Sequence, residues 1–426
     1  MVNLQHHRHK HLEPFYESAK NRWETIQGVI DLFQKAESCT SARTIDCRVS
    51  KGSHGNGNCN NNDNNNDGSK GYKRQTMVLR PVNAREVYLL SSKMHCCCDV
   101  KGGDWSSVFL LYESIRGTVK EEECRIEEAL MKQVSYNYFA RIVVIGLDLS
   151  AGDSSNTTMN APFVDRFHSL PFGFHRNSFV SDCILMPGGR AINCSVLERT
   201  FISRSSSVVN CGTISYNVRG GHDKEGRSSS FECIPNSRYL EMLLGPETGG
   251  RKVKIHGEST MIDVTISMKM SPNNNRFASL HHPNLLEYSK LSAPVNILCN
   301  GSYVCDTPSV NGFYLSSNSY IDAAASVIDV TLLEESSISK GSIVRDAILQ
   351  WKASIVNGAH VNNALLMEYA CAETAAIVNS SILGPDAHVG GGETQHTLLG
   401  PNTNAHHQSL MIGIIWPTGR GNIGYG

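Results

Sequence analysis

The sequence predicts a β-solenoid, a mainly β fold in which short parallel strands coil and each turn stacks on the previous one. The first observation is a column of valines that recurs every seventeen residues. Two further aliphatic columns keep the same step, and only Ala372 is small for its column. The three columns are Val310, Val327, Val344, Val361 and Val378; Leu298, Leu315, Leu332, Leu349, Leu366 and Leu383; and Val304, Ile321, Ile338, Ile355, Ala372 and Val389. Within a repeat they stand five, six and six residues apart. This spacing is neither helical nor simply alternating, and it predicts three flat faces per turn.

Residues 293–426 contain the regular coils and a C-terminal motif. Small residues keep the same step two positions before the leucines, as at Ala347, Ala364 and Ser381, and fit beside the inward columns. Since neighbouring strands lie about 4.8 Å apart, six coils predict a column about 29 Å tall.

A weaker form of the repeat predicts earlier coils over residues 176–215. Ile192 and Val209 stand seventeen residues apart, as do Leu197 and Ile214. Residues 216–292 lose this register and are predicted to be an insertion, with a helix over 284–291.

The N-terminal part is predicted to contain three segments. Residues 1–47 have apolar residues at helical spacing, which indicates a helical extension, either a partner-binding appendage or a poorly ordered terminus. Residues 48–75 are rich in Asn and Gly and predict a disordered linker. Residues 76–150 predict a small mixed module with a helix over 84–92 and strands over 108–112 and 142–149.

Composition excludes several classes of protein. The chain has 39 Lys and Arg against 40 Asp and Glu and shows no basic stripe, so we expect no nucleic-acid partner. It has neither an apolar stretch of membrane-spanning length nor a signal-peptide core, which favours a soluble cytoplasmic protein without a membrane partner. The 14 cysteines are scattered and are expected to be reduced thiols. The run from His95 to Asp99 includes three consecutive cysteines, which converge poorly on one ion, so we expect no metal site, and no cofactor is identified.

Two further motifs lie outside the columns. Gly-Pro-Glu-Thr-Gly-Gly-Arg occupies 245–251, and His-His-Gln-Ser-Leu at 406–410 leads into Trp-Pro-Thr-Gly-Arg-Gly-Asn-Ile-Gly-Tyr-Gly at 416–426. With the interrupted solenoid, these motifs over residues 76–426 resemble the hexapeptide-repeat proteins known as domain of unknown function 4954.

The resemblance implies a left-handed β-helix of the trimeric acyltransferase-like superfamily and a homotrimer. The family has no assigned reaction. Its members continue past the Gly-Asn-Ile-Gly-Tyr-Gly segment, so we expect that this chain is truncated at its C-terminus. The shortened coils also resemble the C-terminal domains of sugar-nucleotide pyrophosphorylases.

Histidines are the first candidates for chemistry, because hexapeptide acyltransferases commonly use a histidine as general base. The candidates are His388, His396, His406 and His407. His406 and His407 are the predicted catalytic residues, since they lie outside the inward columns and before the C-terminal motif. The alternative is that they hydrogen-bond the turns of the last coils.

Ligand-binding candidates lie in the two glycine-rich motifs. A guanidinium flanked by glycines suits phosphate or carboxylate recognition, which nominates Arg420 with Asn422 and Tyr425, and Arg251 with Glu247. The alternative is a glycine-rich turn whose arginine pairs with a neighbouring carboxylate.

Two functions remain open at this stage. The first is an acyl- or sugar-phosphate-transferase acting on a sugar or nucleotide sugar, with His406 or His407 as base and Arg420 as anion clamp. The second is a non-catalytic oligomeric scaffold or binding protein, since a fold does not fix a function.

Overall fold

In a computed structural model the chain is mainly β, and residues 173–423 wind into a parallel β-solenoid of about 12 turns with about 17 residues per coil. The structure describes residues 75–98, 105–115, 117–150, 167, 169–216, 239–269 and 296–424, together with the backbone of 43–47. The predicted linker over 48–74, the predicted helix over 284–291 and residues 1–42 lie outside the described residues.

Each coil has three faces. Face 1 is a sheet of 12 short parallel strands. Its strands are Val134–Ser135, Gly173–His175, Arg190–Ile192, Ser207–Val209, Tyr303–Cys305, Tyr320–Asp322, Ser337–Ser339, Ser354–Ile355, Cys371–Glu373, His388–Gly390, Asn404–His406 and Asn422–Ile423.

Faces 2 and 3 follow one another along bent strands, for example His360–Asn362 on face 2 and Ala364–Leu366 on face 3. The strands of these faces are Val180–Leu185, Val196–Glu198, Thr200–Ile202, Thr213–Ser215, Asn296–Leu298, Ser309–Leu315, Ser326–Leu332, Ile343–Leu349, His360–Leu366, Ile377–Leu383, Glu393–Gln395, Leu398–Leu399, Leu410–Ile412 and Ile415–Trp416.

The predicted columns form the core. Every residue of the three columns is at most 2% exposed, and neighbours in a column face one another across paired strands, as in Val344 with Val361. Ile192 and Val209 pair in the same way in the early coils. The β-solenoid and its seventeen-residue repeat are therefore confirmed, whereas the left-handed winding remains an expectation from the resemblance.

The coils turn at corners where one residue takes a left-handed conformation. The corner between faces 2 and 3 has positive φ at Gly312, Asp329, Asp346 and Asn363, with values from 49° to 68°. Outside glycine this conformation is uncommon and falls mostly on Asn and Asp. The corners therefore explain why short polar residues and glycines recur between the aliphatic columns.

The insertion interrupts the chain but leaves the stack continuous. Thr213–Ser215 pairs with residues 309–311, and Thr200–Ile202 pairs with Asn296–Leu298, so the coils before and after the insertion stack directly. The described part of the insertion is a hairpin, Leu240–Leu244 with Arg251–Ile255, followed by the helix Met261–Lys269.

This insertion packs on the outer surface of face 3. Its apolar side chains contact outward residues of four successive coils, which are Ile348, Leu365, Ile382 and Leu398. Gln350 adds polar contacts, because its Nε2 donates to the carbonyls of Gly257 (2.9 Å) and Ser259 (2.8 Å). An outward column that would otherwise meet water is thereby buried.

The N-terminal module extends one end of the solenoid. It comprises the helices Ala84–Tyr88 and Val119–Gln133, a π-helical turn Leu89–Lys93, 3₁₀ turns, and the strands Arg43–Cys47, Gln75–Pro81, Cys97–Cys98, Val108–Glu113 and Tyr138–Leu147. The predicted helix near 84–92 and the two predicted strands are present. Tyr138–Leu147 pairs in parallel with Val180–Leu185, so the module shares a sheet with the coils rather than standing apart.

At the end of the extension predicted to be helical, Arg43–Cys47 is a strand paired with Gln75–Pro81. Among the described residues, no helix combines the length and the apolar character that crossing a bilayer requires.

Candidate functional site

Two of the predicted site residues meet on face 1 near the C-terminus. His406 ends the strand Asn404–His406, and Asn422 begins the next strand of the same sheet. Their side chains point outward because His406 follows the inward Ala405 and Asn422 precedes Ile423, which packs against the core. His406 Nε2 lies 2.7 Å from Asn422 Oδ1.

This contact favours one tautomer of the His406 ring. An amide oxygen only accepts hydrogen bonds, so in the neutral ring the contact places the proton on Nε2 and the lone pair on Nδ1. A Cβ at Gly424 would lie 3.4 Å from Cε1 and 3.6 Å from Nδ1 of His406. Glycine at this position therefore leaves that edge of the imidazole accessible to a proton donor.

His407 and Arg420 lie at corners on opposite edges of face 1. Both have left-handed backbones, with φ of 56° and 54°. The exposed His407 ring packs edge to face on His406 with centroids 4.2 Å apart. The backbone N–H of Arg420 donates to Pro401 at 3.0 Å, and its side chain is exposed. The corner geometry accounts for the backbone of both residues and leaves both side chains at the surface.

The structure does not bring Arg251 and Glu247 to His406. Arg251 Nη1 donates to the carbonyls of Gly249 (2.9 Å) and Gly250 (3.2 Å), so this guanidinium closes its own turn. Glu247 is exposed in the 3₁₀ turn Pro246–Thr248. The loop docks beside the corner between faces 2 and 3, where the N–H of Gly245 donates to the His396 carbonyl at 2.9 Å.

His396 is the predicted candidate that holds this loop. It occupies the same corner column as Asn363, with φ of 50°, and its Nδ1 lies 2.8 Å from the carbonyl of Leu243. This histidine therefore contacts a backbone carbonyl of the insertion hairpin. Tyr425 lies outside the described residues.

Face 1 also contains a cluster of potential metal ligands that was not predicted from the sequence motifs. Cys371 and His388 stand opposite each other on adjacent strands, and Glu373 lies two residues after Cys371 on the same side. The Sγ of Cys371, a carboxylate oxygen of Glu373 and a ring nitrogen of His388 all lie within 4.8 Å of one another. The seventeen-residue step between Cys371 and His388 was the available signal, but His388 was a candidate only as a general base, without Cys371 or Glu373 beside it.

The polar atoms of this cluster are incompletely satisfied. His388 Nε2 lies 3.0 Å from Glu373 Oε1, within ion-pair distance, yet this buried nitrogen makes no hydrogen bond of acceptable geometry. His388 and Glu373 are therefore in close contact without forming a hydrogen bond. Burial raises the pKa of the Cys371 thiol, and the Glu373 charge raises it further, while a hydrogen bond from Ser354 Oγ (3.3 Å) to the sulfur opposes both effects.

These side chains form one surface, which we call the C-terminal polar patch: Cys371, Glu373, His388, Asn404, His406 and Asn422. Cys371, His388, Asn404 and Asn422 follow one another in one outward column, and Glu373, Gly390 and His406 form the adjacent column. With strands about 4.8 Å apart, the patch spans about 14 Å over four coils.

The other cysteine clusters differ in arrangement. Cys96 is buried whereas Cys97 is exposed, so the two side chains point apart, and Asp99 lies outside the described residues. A second group of potential ligands, Cys305, Asp306 and Asp322, lies earlier on face 1, with Cys305 Sγ 3.2 Å from Asp306 Oδ2.

Comparison of the chain with protein-family models and with curated proteins found no match.

Proposed function

We propose that this protein is an acyltransferase of the hexapeptide-repeat type, in which His406 is the general base and the acceptor is a sugar or nucleotide sugar. The observation that carries the proposal is the His406–Asn422 contact of 2.7 Å, which in the neutral ring places the lone pair on Nδ1, on the side of Gly424. The resemblance to the family of unknown function and the β-solenoid fold support the same class by analogy.

The reaction follows from this geometry. His406 Nδ1 takes the proton of an acceptor hydroxyl or amine while the acceptor oxygen or nitrogen bonds to the carbonyl carbon of an activated acyl donor, such as a thioester. The tetrahedral intermediate then collapses and the bond to the leaving group breaks. The imidazolium returns its proton to the departing thiolate. Asn422 keeps the ring in the productive tautomer throughout.

Acyl transfer is favoured over sugar-phosphate transfer by the groups near His406. The C-terminal polar patch offers a base and neutral amides there, rather than the cationic side chains that a transferring phosphate requires. Arg420 stands at the edge of face 1, where it suits an anionic part of the donor or of a nucleotide sugar better than the reacting carbonyl.

The test is an acyl-transfer assay with acetyl-coenzyme A and a panel of amino sugars and nucleotide sugars, with products detected by mass spectrometry. Native mass spectrometry of the purified protein comes first and identifies any co-purified ligand for the panel. We expect His406→Asn to lower the rate about 10²- to 10⁴-fold, the usual contribution of a general base. The control His360→Asn changes a histidine on face 2 and should keep the wild-type rate.

Equal rates for His406→Asn and the wild type would refute the role of His406. No product from any acceptor, together with a stable empty oligomer, would favour the scaffold function.

The scaffold alternative has its own observation on face 2. Ile343, Ile377 and Leu410 lie in one outward column, where they alternate with His360 and Glu393, and are 42%, 43% and 63% exposed. Ile412 beside them is 43% exposed. Apolar residues grouped on one face favour association with another protein.

We propose a second copy of this chain as the partner, in the homotrimer that the resemblance implies, within the cytoplasm. Leu410→Lys with Ile377→Lys should lower the mass measured by light scattering from trimer to monomer, and an unchanged mass would exclude this face as the contact.

A further inference from the structure

We propose that Cys371, Glu373 and His388 bind a zinc ion and leave its fourth coordination position open. This metal site lies on the C-terminal polar patch but does not depend on His406 or on acyl transfer. The sequence alone indicates no metal here, because the three residues come together only when two coils stack.

The donor set selects the metal. A thiolate and an imidazole favour zinc over magnesium or calcium, and a carboxylate completes a mixed set that zinc accepts. Zinc bonds of about 2.0–2.3 Å in a tetrahedron place donor atoms roughly 3.3–3.8 Å apart. The three donors here already lie within 4.8 Å of one another, so small side-chain rotations close the site.

The scaffold permits those rotations while keeping the backbone fixed. Cys371 and His388 are held in register by adjacent parallel strands. The side chains of His388 and Glu373 are 41% and 34% exposed, so both can move without disturbing the core. The inward neighbours Ala372 and Val389 are fully buried and anchor the strands from behind.

An independent observation points to a missing ligand. His388 Nε2 is buried and faces the Cys371 sulfur and the Glu373 carboxylate, and its contact with Glu373 Oε1 at 3.0 Å does not have hydrogen-bond geometry. Buried polar atoms are almost always hydrogen-bonded, and one that is not calls for an ion or a water. A zinc ion between the three side chains would satisfy it.

The surroundings fit a metal-bound thiolate and an open position. Ser354 Oγ donates to the Cys371 sulfur at 3.3 Å, the kind of outer contact that orients a metal ligand and supports its negative charge. A Cβ at Gly390 would lie 3.8 Å from Glu373 Oε1 and 4.0 Å from His388 Nε2. Glycine there leaves one side of the site uncovered. Three protein ligands plus an open position are typical of zinc sites that bind water or a substrate oxygen.

The test measures metal binding and not catalysis, so its outcome is separate from that of the transferase proposal. The full-length protein is stripped of metal and titrated with Co²⁺, whose thiolate charge-transfer absorption reports sulfur ligation, and competition with Zn²⁺ gives the zinc affinity. We expect the charge-transfer band in the wild type, its loss in Cys371→Ser, and a zinc Kd raised more than about 100-fold in Cys371→Ser and His388→Asn, since even outer-contact mutations cost 10- to 100-fold.

Matched controls separate this site from other thiols and histidines. Cys124→Ser changes an exposed cysteine of the helix Val119–Gln133, and His360→Asn changes a histidine on face 2, and both should bind as the wild type does. The histidines near the N-terminus cannot produce a thiolate band. A wild-type protein without the band, or a Cys371→Ser variant that binds zinc as tightly as the wild type, would overturn the proposal.

Discussion

Docking of the insertion on face 3 can be tested with two adjacent leucines, which are both fully buried but by different parts of the protein. Leu366 points inward and packs in the solenoid core, whereas Leu365 points outward and is covered by the hairpin and helix of the insertion. If the insertion did not dock, Leu365 would be a surface residue. Replacing each leucine with alanine therefore compares the two contacts at neighbouring positions of one strand.

The magnitudes follow from the atoms removed. Leu→Ala deletes three carbons, worth about 2.4 kcal/mol at about 0.8 kcal/mol per buried CH₂, and an unfilled cavity raises the loss to as much as about 5 kcal/mol. We expect Leu365→Ala and Leu366→Ala each to lower the free energy of unfolding by about 2–5 kcal/mol. A surface leucine would change it by less than about 0.5 kcal/mol.

The assay is equilibrium unfolding in guanidinium chloride followed by circular dichroism and by tryptophan fluorescence. Two probes are needed because stacked repeats often unfold in more than one step. Met131→Ala, at a 49% exposed position of the helix Val119–Gln133, serves as the surface control. A loss below about 0.5 kcal/mol for Leu365→Ala, with a loss of several kcal/mol for Leu366→Ala, would refute docking of the insertion on face 3.

Three further predictions concern corners, a buried ion pair and pH. Ala323→Gly should stabilise the protein by about 0.5–1 kcal/mol and Gly358→Ala should destabilise it by a similar amount, because both positions have left-handed φ, 52° and 73°. Thermal unfolding measures both changes, and changes of the opposite sign would contradict the prediction. Glu86→Ala should lower the free energy of unfolding by about 3–5 kcal/mol in a denaturant titration, because it leaves the Arg80 guanidinium, 17% exposed, without its carboxylate partner. A loss of unfolding free energy below about 1 kcal/mol would exclude a strong ion pair. Burial lowers the pKa of His175, so the contribution of this histidine to stability is complete above the unfolded pKa of about 6.5 and is lost as the pH falls below that value. The free energy of unfolding should therefore fall less between about pH 7 and 5 in His175→Gln than in the wild type. An equal fall in both proteins would argue against this role of His175.

The sequence predicted the solenoid because its core is periodic. Val344, Leu349 and Ile355 recur at one step, and no other fold buries all three columns at once. The corners carry a weaker signal, since Asn193 and Asn210 also stand seventeen residues apart and both have left-handed φ. Docking of the insertion was not predicted, because the contacts join segments about a hundred residues apart that share no periodicity.

The candidate site was predicted only in part, for a related reason. His406 and Asn422 were found because they stand in one C-terminal motif, and the structure brings them into contact. Arg251 follows a glycine as Arg420 does, yet it folds back on its own turn. Local sequence does not distinguish these two outcomes, because the difference depends on which corner of the coil each loop reaches.

The outward columns of face 1 show how a solenoid can build a site without a sequence motif. One column reads Glu373, Gly390, His406 and then Gly424, so a reactive side chain alternates with a glycine at each successive coil. Each glycine leaves the polar group on the preceding coil uncovered. Gly390 does so for the Glu373 carboxylate, and Gly424 does so for the His406 imidazole. Because a stacked coil places any outward residue about 4.8 Å from its neighbours, a side chain at these glycines would fill the space that a ligand needs. The glycines therefore belong to the candidate site as much as the histidines do, and they relate the proposed zinc position and the proposed general base as two openings on one face, two coils apart.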